Sequence, residues 1–298
     1  MSTGATPMRT VSQLLQCGAR SLEGHSDSPR LDAELLLGKT LRLSRSGLIA
    51  HGEEPVAGER EKAYASLIDQ RQRGAPIAYL TGIREFWSLA LRVTPAVLVP
   101  RPETELIVEL ALQLLPERQM RSAADQACSI LDLGTGSGAI ALAIASERPQ
   151  SRVTGVDISP SALEVAIQNS RDLGLSHIDW RLGSWFDPVP GERFDVIVAN
   201  PPYVAAADPA LDKLRAEPAL ALSAGPTGLE ALSAIAAEAA PHLRERGWLI
   251  LEHGSDQAPD VARLLERHGF TGIRSHLDFS GCPRVTLGTV HSPHQETS

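Results

Sequence analysis

Leu131-Asp132-Leu133-Gly134-Thr135-Gly136-Ser137-Gly138-Ala139 is the stretch on which the fold turns. A short apolar run beginning at Ser129 reads as a strand. The glycines after it let backbone pass close to a ligand before a helix opens. Further candidate strands lie outward from it, at Arg152 to Asp157, Ile178 to Leu182, Phe194 to Ala199 and Trp248 to Glu252. Helical patterns alternate with them. In one, Ser159 caps a helix with Pro160 at its first position, Leu163, Ala166 and Ile167 on its buried stripe, and Gly174 at its end. Such alternation predicts a doubly wound, mostly parallel α/β sheet. Gly272 to Leu277 and Pro283 to Leu287, separated by Ser280-Gly281, predict an antiparallel hairpin closing its edge.

Upstream the pattern changes. Val11 to Leu22, the segment led by Ser28-Pro29 with Leu31, Leu35 and Leu36, and Val56 to Arg73 read as helices of a small domain over 1–80, with Gly38 loosening the second. Arg84 to Val99 alternates apolar and polar residues and predicts a β-hairpin linker over 81–100. The α/β domain is expected over 101–290, followed by a frayed tail at 291–298.

The 298 residues are 43% hydrophobic and 21% charged, a globular balance that excludes fibrous and fully disordered classes. Net charge is −8, which opposes a broad phosphate-neutralising surface, so no stable nucleic-acid binding is expected. Residues 1 to 85 hold 11 basic and 10 acidic side chains, so the acidity belongs to the rest of the chain. Cys17, Cys128 and Cys282 are far apart and form no zinc-like cluster, and Cys128 reads as a core thiol. No metal site is expected. Without a membrane span or a signal-like opening, the expectation is a cytoplasmic monomer.

The loop Gly134, Thr135, Gly136, Ser137 and Gly138 marks a nucleotide site, but by itself it does not separate NAD from S-adenosylmethionine. Asp157, nineteen residues beyond Gly138 at a strand end, can accept both hydroxyls of an adenosine ribose; it could instead cap the helix at Ser159. Asn200-Pro201-Pro202-Tyr203 follows the apolar strand Val196-Ile197-Val198-Ala199. Prolines supply no N–H, so the Asn200 side-chain oxygen and the Pro201 carbonyl form a pair of acceptors that suits a planar NH₂ group, and the Tyr203 ring can stack on its face. His253 lacks ligand partners at useful spacing and reads as a core histidine. Glu103 and Glu105 open a helix whose dipole favours acids.

These motifs resemble the S-adenosylmethionine-dependent methyltransferases of planar nitrogens. Further stretches extend the likeness: Pro76 to Gly82, Glu85-Phe86, Val97 to Glu105 with its Pro-Arg-Pro-Glu-Thr-Glu segment, Leu251 to Gly254 and Arg284 to Gly288. Over about residues 10 to 288 the chain is similar to the bacterial peptide chain release factor glutamine methyltransferases. The resemblance implies a Rossmann-like sheet and S-adenosylmethionine bound by Gly134 to Gly138, Asp157, Trp185 and Asn200. It implies Asn200, Pro201 and Tyr203 as catalytic residues, with Pro202 joining them at the substrate. It also implies release factors as protein substrates, methylated at the glutamine of a Gly-Gly-Gln motif. Many members carry an acid just before the aromatic, where this chain has Ser184. A ribosomal-protein glutamine methyltransferase would share the catalytic motif, as would a nucleic-acid amino-group methyltransferase, which the acidic balance opposes.

Overall fold

The structure, a computed structural model, describes residues 8–115 and 127–290. The tail expected over 291–298 lies outside the described residues. The chain forms two compact units, Met1–Ile83 and Arg84–Ser298.

The first unit holds α1 (Val11–Ser21), α2 (Pro29–Leu41), α3 (Arg45–Ala50), α4 (Gly58–Gln72) and α5 (Ile77–Thr81). Thr10 starts α1 with a reciprocal cap: its hydroxyl accepts from Gln13 N while its own N–H reaches Gln13 Oε1. Ser28 leads into α2, yet its side chain makes no cap bond. The expected stripe is also rotated. Ala33, Leu36 and Leu37 are buried with Asp32, while Leu31 and Leu35 face solvent. Asp32 is tolerated inside because Arg71 and Ser26 both bond its Oδ2 at 2.7 Å. Gly38 does not loosen α2; a Cβ there would meet the Leu43 carbonyl oxygen at 2.8 Å, so glycine permits a close backbone approach.

The second unit begins within a hairpin, β1 (Ile83–Phe86) and β2 (Leu89–Arg92), shorter than the predicted 84–99. The stretch from Val93 to Pro100 is a connection outside both strands. Then come α6 (Glu105–Leu114), β3 (Ser129–Leu133), α7 (Ala139–Glu147), β4 (Arg152–Asp157), α8 (Pro160–Asp172), β5 (Asp179–Leu182) and β6 (Phe194–Ala199). They are followed by α9 (Ala210–Lys213), α10 (Glu230–Ala239), β7 (Leu243–Glu252), α11 (Ala258–Arg267), β8 (Thr271–Leu277) and β9 (Pro283–Thr289). The seven-stranded sheet runs β5-β4-β3-β6-β7-β9-β8. The first five strands pair in parallel, and β9 pairs antiparallel with both β7 and β8. The C-terminal hairpin is therefore present, with its second strand inserted beside β7 and its first strand at the edge.

Residues alternate between the two sheet faces. Ile130, Val196, Val198 and Ile250 pack with α6 and α7 on one face; Leu131, Leu133, Ile197, Leu249 and Leu251 pack with α10 and α11 on the other. Each such side chain contributes about 1.5–3 kcal/mol on burial. The chain leaves β3 for β4 and β5, then returns to β6 on the opposite side of β3. That reversal opens a crevice at the carboxyl ends of β3 and β6.

Candidate active site

Strand register delivers the site residues to one level. Leu133 pairs with both Val156 and Ala199, so Gly134, Asp157 and Asn200 leave the sheet side by side. Asp157 pairs with Leu182, which places Gly183-Ser184-Trp185 on its far flank. Ala199 pairs with Leu251, so Glu252 emerges next to Asn200. A cavity of about 350 Å³ lies over these ends, within the size range of small-molecule sites.

Gly134, Thr135, Gly136, Ser137, Asp157, Ser184, Trp185, Asn200 and Pro202 line it. Gly138, Pro201 and Tyr203 are not among its lining residues. Gly138 instead begins α7 at φ 82, where a Cβ would press on Trp180 at 2.9 Å and Leu142 at 3.1 Å. Gly136 sits at φ 57, the left-handed region that lets its N–H turn back to Asp157 Oδ2 at 2.8 Å. Asp157 Oδ1 accepts from Ser159 N at 2.8 Å. The acid thus braces the loop and the entry to α8 while lining the cavity. Burial raises its pKa and the amide donors oppose that. Trp185, at φ 39, sets its ring beside Gly134, with Cζ3 3.5 Å from where a Cβ would stand.

Beneath the loop, Asp132 is completely buried. Its Oδ2 takes the Thr135 hydroxyl at 2.6 Å and Ala141 N at 3.2 Å, and Oδ1 has no partner among the described residues. Desolvation pushes this carboxyl up to about 7. A glycine turn with open backbone, an indole at its side and a carboxylate at the cavity wall suit an adenosine ligand. Among the described residues no three His, Cys, Asp or Glu side chains converge as a metal would require.

Asn200 Nδ2 donates to Thr104 Oγ1 at 3.0 Å, which leaves Oδ1 as the end available to a ligand in the cavity. Thr104 is buried and also lines the cavity. Tyr203 does not stand alone as a stacking ring: its hydroxyl donates to Glu252 Oε1 at 3.2 Å. Glu252 is 1% exposed, and burial pushes it up to about 7 although the Thr104 and Tyr203 hydroxyls favour its ionised form. His253 is wholly buried, its ring nitrogens 2.8 Å from Gly254 O and Thr286 Oγ1, as a core histidine should be.

The Pro-Arg-Pro-Glu-Thr-Glu segment acts as a strut. Arg101 pairs with buried Glu217, whose other oxygen takes Val99 N at 3.0 Å; Glu105 takes Trp87 N at 2.8 Å in the hairpin turn. Sequence reasoning assigned no role to Glu217 or Glu252, and took Thr104 only as part of the Pro-Arg-Pro-Glu-Thr-Glu segment, whose resemblance implies a substrate-side role. The signal for Glu252 was present: like Asp157 and Asn200, it is the polar residue that ends an apolar strand.

Comparison with known proteins follows the same division of the chain. A family model described as the PrmC N-terminal domain matches residues 13–82, and one described as a methyltransferase domain matches residues 124–260. A release factor glutamine methyltransferase of Xylella fastidiosa (strain Temecula1) is 48% identical over 261 residues, 87% of this chain and 92% of that protein. Its counterpart in Salmonella typhimurium (strain LT2) is 44% identical over 265 residues, 88% and 93% of the two chains. Among solved structures, the hMettl16 catalytic domain in complex with MAT2A 3'UTR hairpin 1 shares the fold. Its TM-score is 0.55 at 13% identity, covering 72% of this chain and 79% of that one.

Proposed function

The chain belongs to the release factor glutamine methyltransferase family, and from that premise we propose that it transfers a methyl group from S-adenosylmethionine to the side-chain amide nitrogen of the glutamine in the Gly-Gly-Gln motif of peptide chain release factors. The observation that carries this reading is the Asn200 amide, anchored through Nδ2 on Thr104 so that Oδ1 is offered to the cavity shared by the glycine loop and Asp157. Residues 134–137, Asp157, Ser184 and Trp185 would hold the cofactor. Bound there, S-adenosylmethionine supplies an electrophilic methyl carbon.

The protein's own task is orientation. An amide nitrogen is a weak nucleophile because its lone pair is delocalised into the carbonyl. Asn200 Oδ1 and the Pro201 carbonyl accept its two N–H bonds, aim the nitrogen and stabilise positive charge developing on it. As the new nitrogen–carbon bond forms, the methyl–sulfur bond breaks to leave neutral S-adenosylhomocysteine, and one amide proton is released to water. Orientation of this kind contributes up to roughly 7–11 kcal/mol in favourable intramolecular cases. Each preorganised acceptor adds about 3 kcal/mol by analogy with oxyanion-hole donors. Pro202 stiffens the turn, and the Tyr203 ring covers the amide's flat face.

The helical unit, expected over 1–80, serves as the docking surface for the rest of the release factor, since one glutamine side chain offers too few contacts for selection. The β-hairpin then begins the catalytic domain. The test is methyl transfer from labelled S-adenosylmethionine to a purified release factor, a large-subunit ribosomal protein and duplex DNA side by side. Label should enter the release factor; label confined to the ribosomal protein or to DNA would contradict the proposal.

A further inference from the structure

We infer that Thr104 and Glu252 are positioning residues, forming a one-way hydrogen-bond relay that decides which end of the Asn200 amide faces the substrate. The inference rests on the proposed role of Asn200 as acceptor and adds what makes it one. The two ends of a primary amide are nearly equal in size, so sterics alone do not choose between them. A neighbour with a fixed polarity does.

Thr104 supplies that neighbour. Its hydroxyl favours the ionised form of the nearby buried Glu252 carboxyl and lies 3.0 Å from Asn200 Nδ2. An ionised carboxylate only accepts, so the single Thr104 proton points to Glu252, and Thr104 can only accept from Asn200. The amide NH₂ is thereby held inward and Oδ1 outward. The Tyr203 hydroxyl, donating to Oε1 at 3.2 Å, adds a second donor to the same carboxylate. Pairing of Ala199 with Leu251 explains the meeting of these residues, because Asn200 and Glu252 follow that pair on adjacent parallel strands. Glu252 Oε2 is buried without a partner among the described residues, so the carboxylate has not been placed there for its own stability.

Protonation would reverse the relay. A neutral Glu252 could donate to Thr104, releasing the Thr104 proton toward Asn200 and favouring the flipped amide. The groups acting on Glu252 come from three places. Tyr203 follows β6, Arg284 on β9 favours the ionised form, and Glu103 in the turn before α6 opposes it. Arg101 acts on Tyr203. Burial brings the Glu252 carboxyl to about 7, so the wild-type rate should fall as pH drops through that region.

The experiment compares the full-length protein with Thr104→Val, Thr104→Ser, Glu252→Gln and Asn200→Ala. Its readouts are kcat and KM for a release factor, the pH dependence of kcat, and calorimetric affinity for S-adenosylmethionine. Thr104→Val should lower kcat by roughly 100-fold, the cost of one misdirected active-site dipole. Cofactor affinity should stay unchanged, and Thr104→Ser, which keeps the hydroxyl, should recover most of the rate. Glu252→Gln should lose the acid limb of the wild-type profile. A wild-type kcat in Thr104→Val overturns the inference, as does an acid limb that survives in Glu252→Gln. Should Thr104→Val fail to bind cofactor, the Glu252→Gln profile decides between the same two results. Full turnover in Asn200→Ala would instead overturn the underlying reading of Asn200, which distinguishes the two failures.

Discussion

Asp157 illustrates how one side chain braces the scaffold and also lines the cavity. Its oxygens already accept Gly136 N and Ser159 N at 2.8 Å, so Asp157→Ala should loosen the loop as well as remove the proposed ribose acceptor. Cofactor affinity should fall by about 1.5–3 kcal/mol for each charge-assisted bond lost. Calorimetry measures this, and unchanged affinity in a folded variant would remove Asp157 from the site. Asn200→Ala should cost orders of magnitude in turnover, while Tyr203→Phe, which keeps the ring but not its bond to Glu252, should be milder in single-turnover kinetics. These residues were legible because each follows an apolar strand in a recognisable motif. Thr104 was not: it lies 96 positions from Asn200, and its pairing depends on how α6 enters the domain. The expected stack of glycines was legible as a loop, but not the division within it, by which Gly138 serves packing against Trp180 and Gly136 serves the cavity edge.

At the scale of elements, apolar runs located the parallel strands well. Bounds for β3, β4 and β6 coincide with the sequence expectation because buried central strands are continuously apolar. The first half of β7 escaped notice, since Arg244, Glu245 and Arg246 interrupt the pattern and Arg246 adopts φ 60 beside a register shift. The hairpin was legible as alternation but not its turn. Trp87 and Ser88 both have positive φ, at 51° and 59°, as a two-residue type I′ turn demands. A non-glycine residue there is strained by about 1–2 kcal/mol. Ser88→Gly should therefore stabilise the protein modestly, raising the urea midpoint with the slope unchanged. Gly155→Ala should do the opposite. Its Cβ would stand 2.4 Å from Trp180, and overpacking of that kind costs about 1–3 kcal/mol. A neutral Gly155→Ala would show that Trp180 can move aside.

For the whole molecule, alternation of strands and helices foretold the doubly wound sheet, but not the insertion of β9 between β7 and β8, because either strand of a hairpin can sit inward. Burial also gives the molecule a pH signature. Asp132 and Glu252 are pushed up to about 7 in the folded protein; in the unfolded chain both titrate near ~4. Between those values the folded state holds more protons. These groups therefore favour folding at low pH, and their contribution declines as pH rises toward about 7, levelling off above it. Urea titrations of wild type and of an Asp132→Asn, Glu252→Gln double variant between about pH 5 and 8 should show a flatter dependence in the variant. Identical slopes would mean that the two carboxyls do not titrate as their burial requires. The central claim, that the Asn200 site presents a protein glutamine to a methyl donor, is tested most directly by peptide mass spectrometry of an intact release factor after incubation with the enzyme and S-adenosylmethionine. The account predicts a single added methyl on the side-chain nitrogen of the glutamine in the Gly-Gly-Gln motif, absent when Asn200→Ala replaces the wild type; a methyl on any other residue, or the same product from Asn200→Ala, would contradict it.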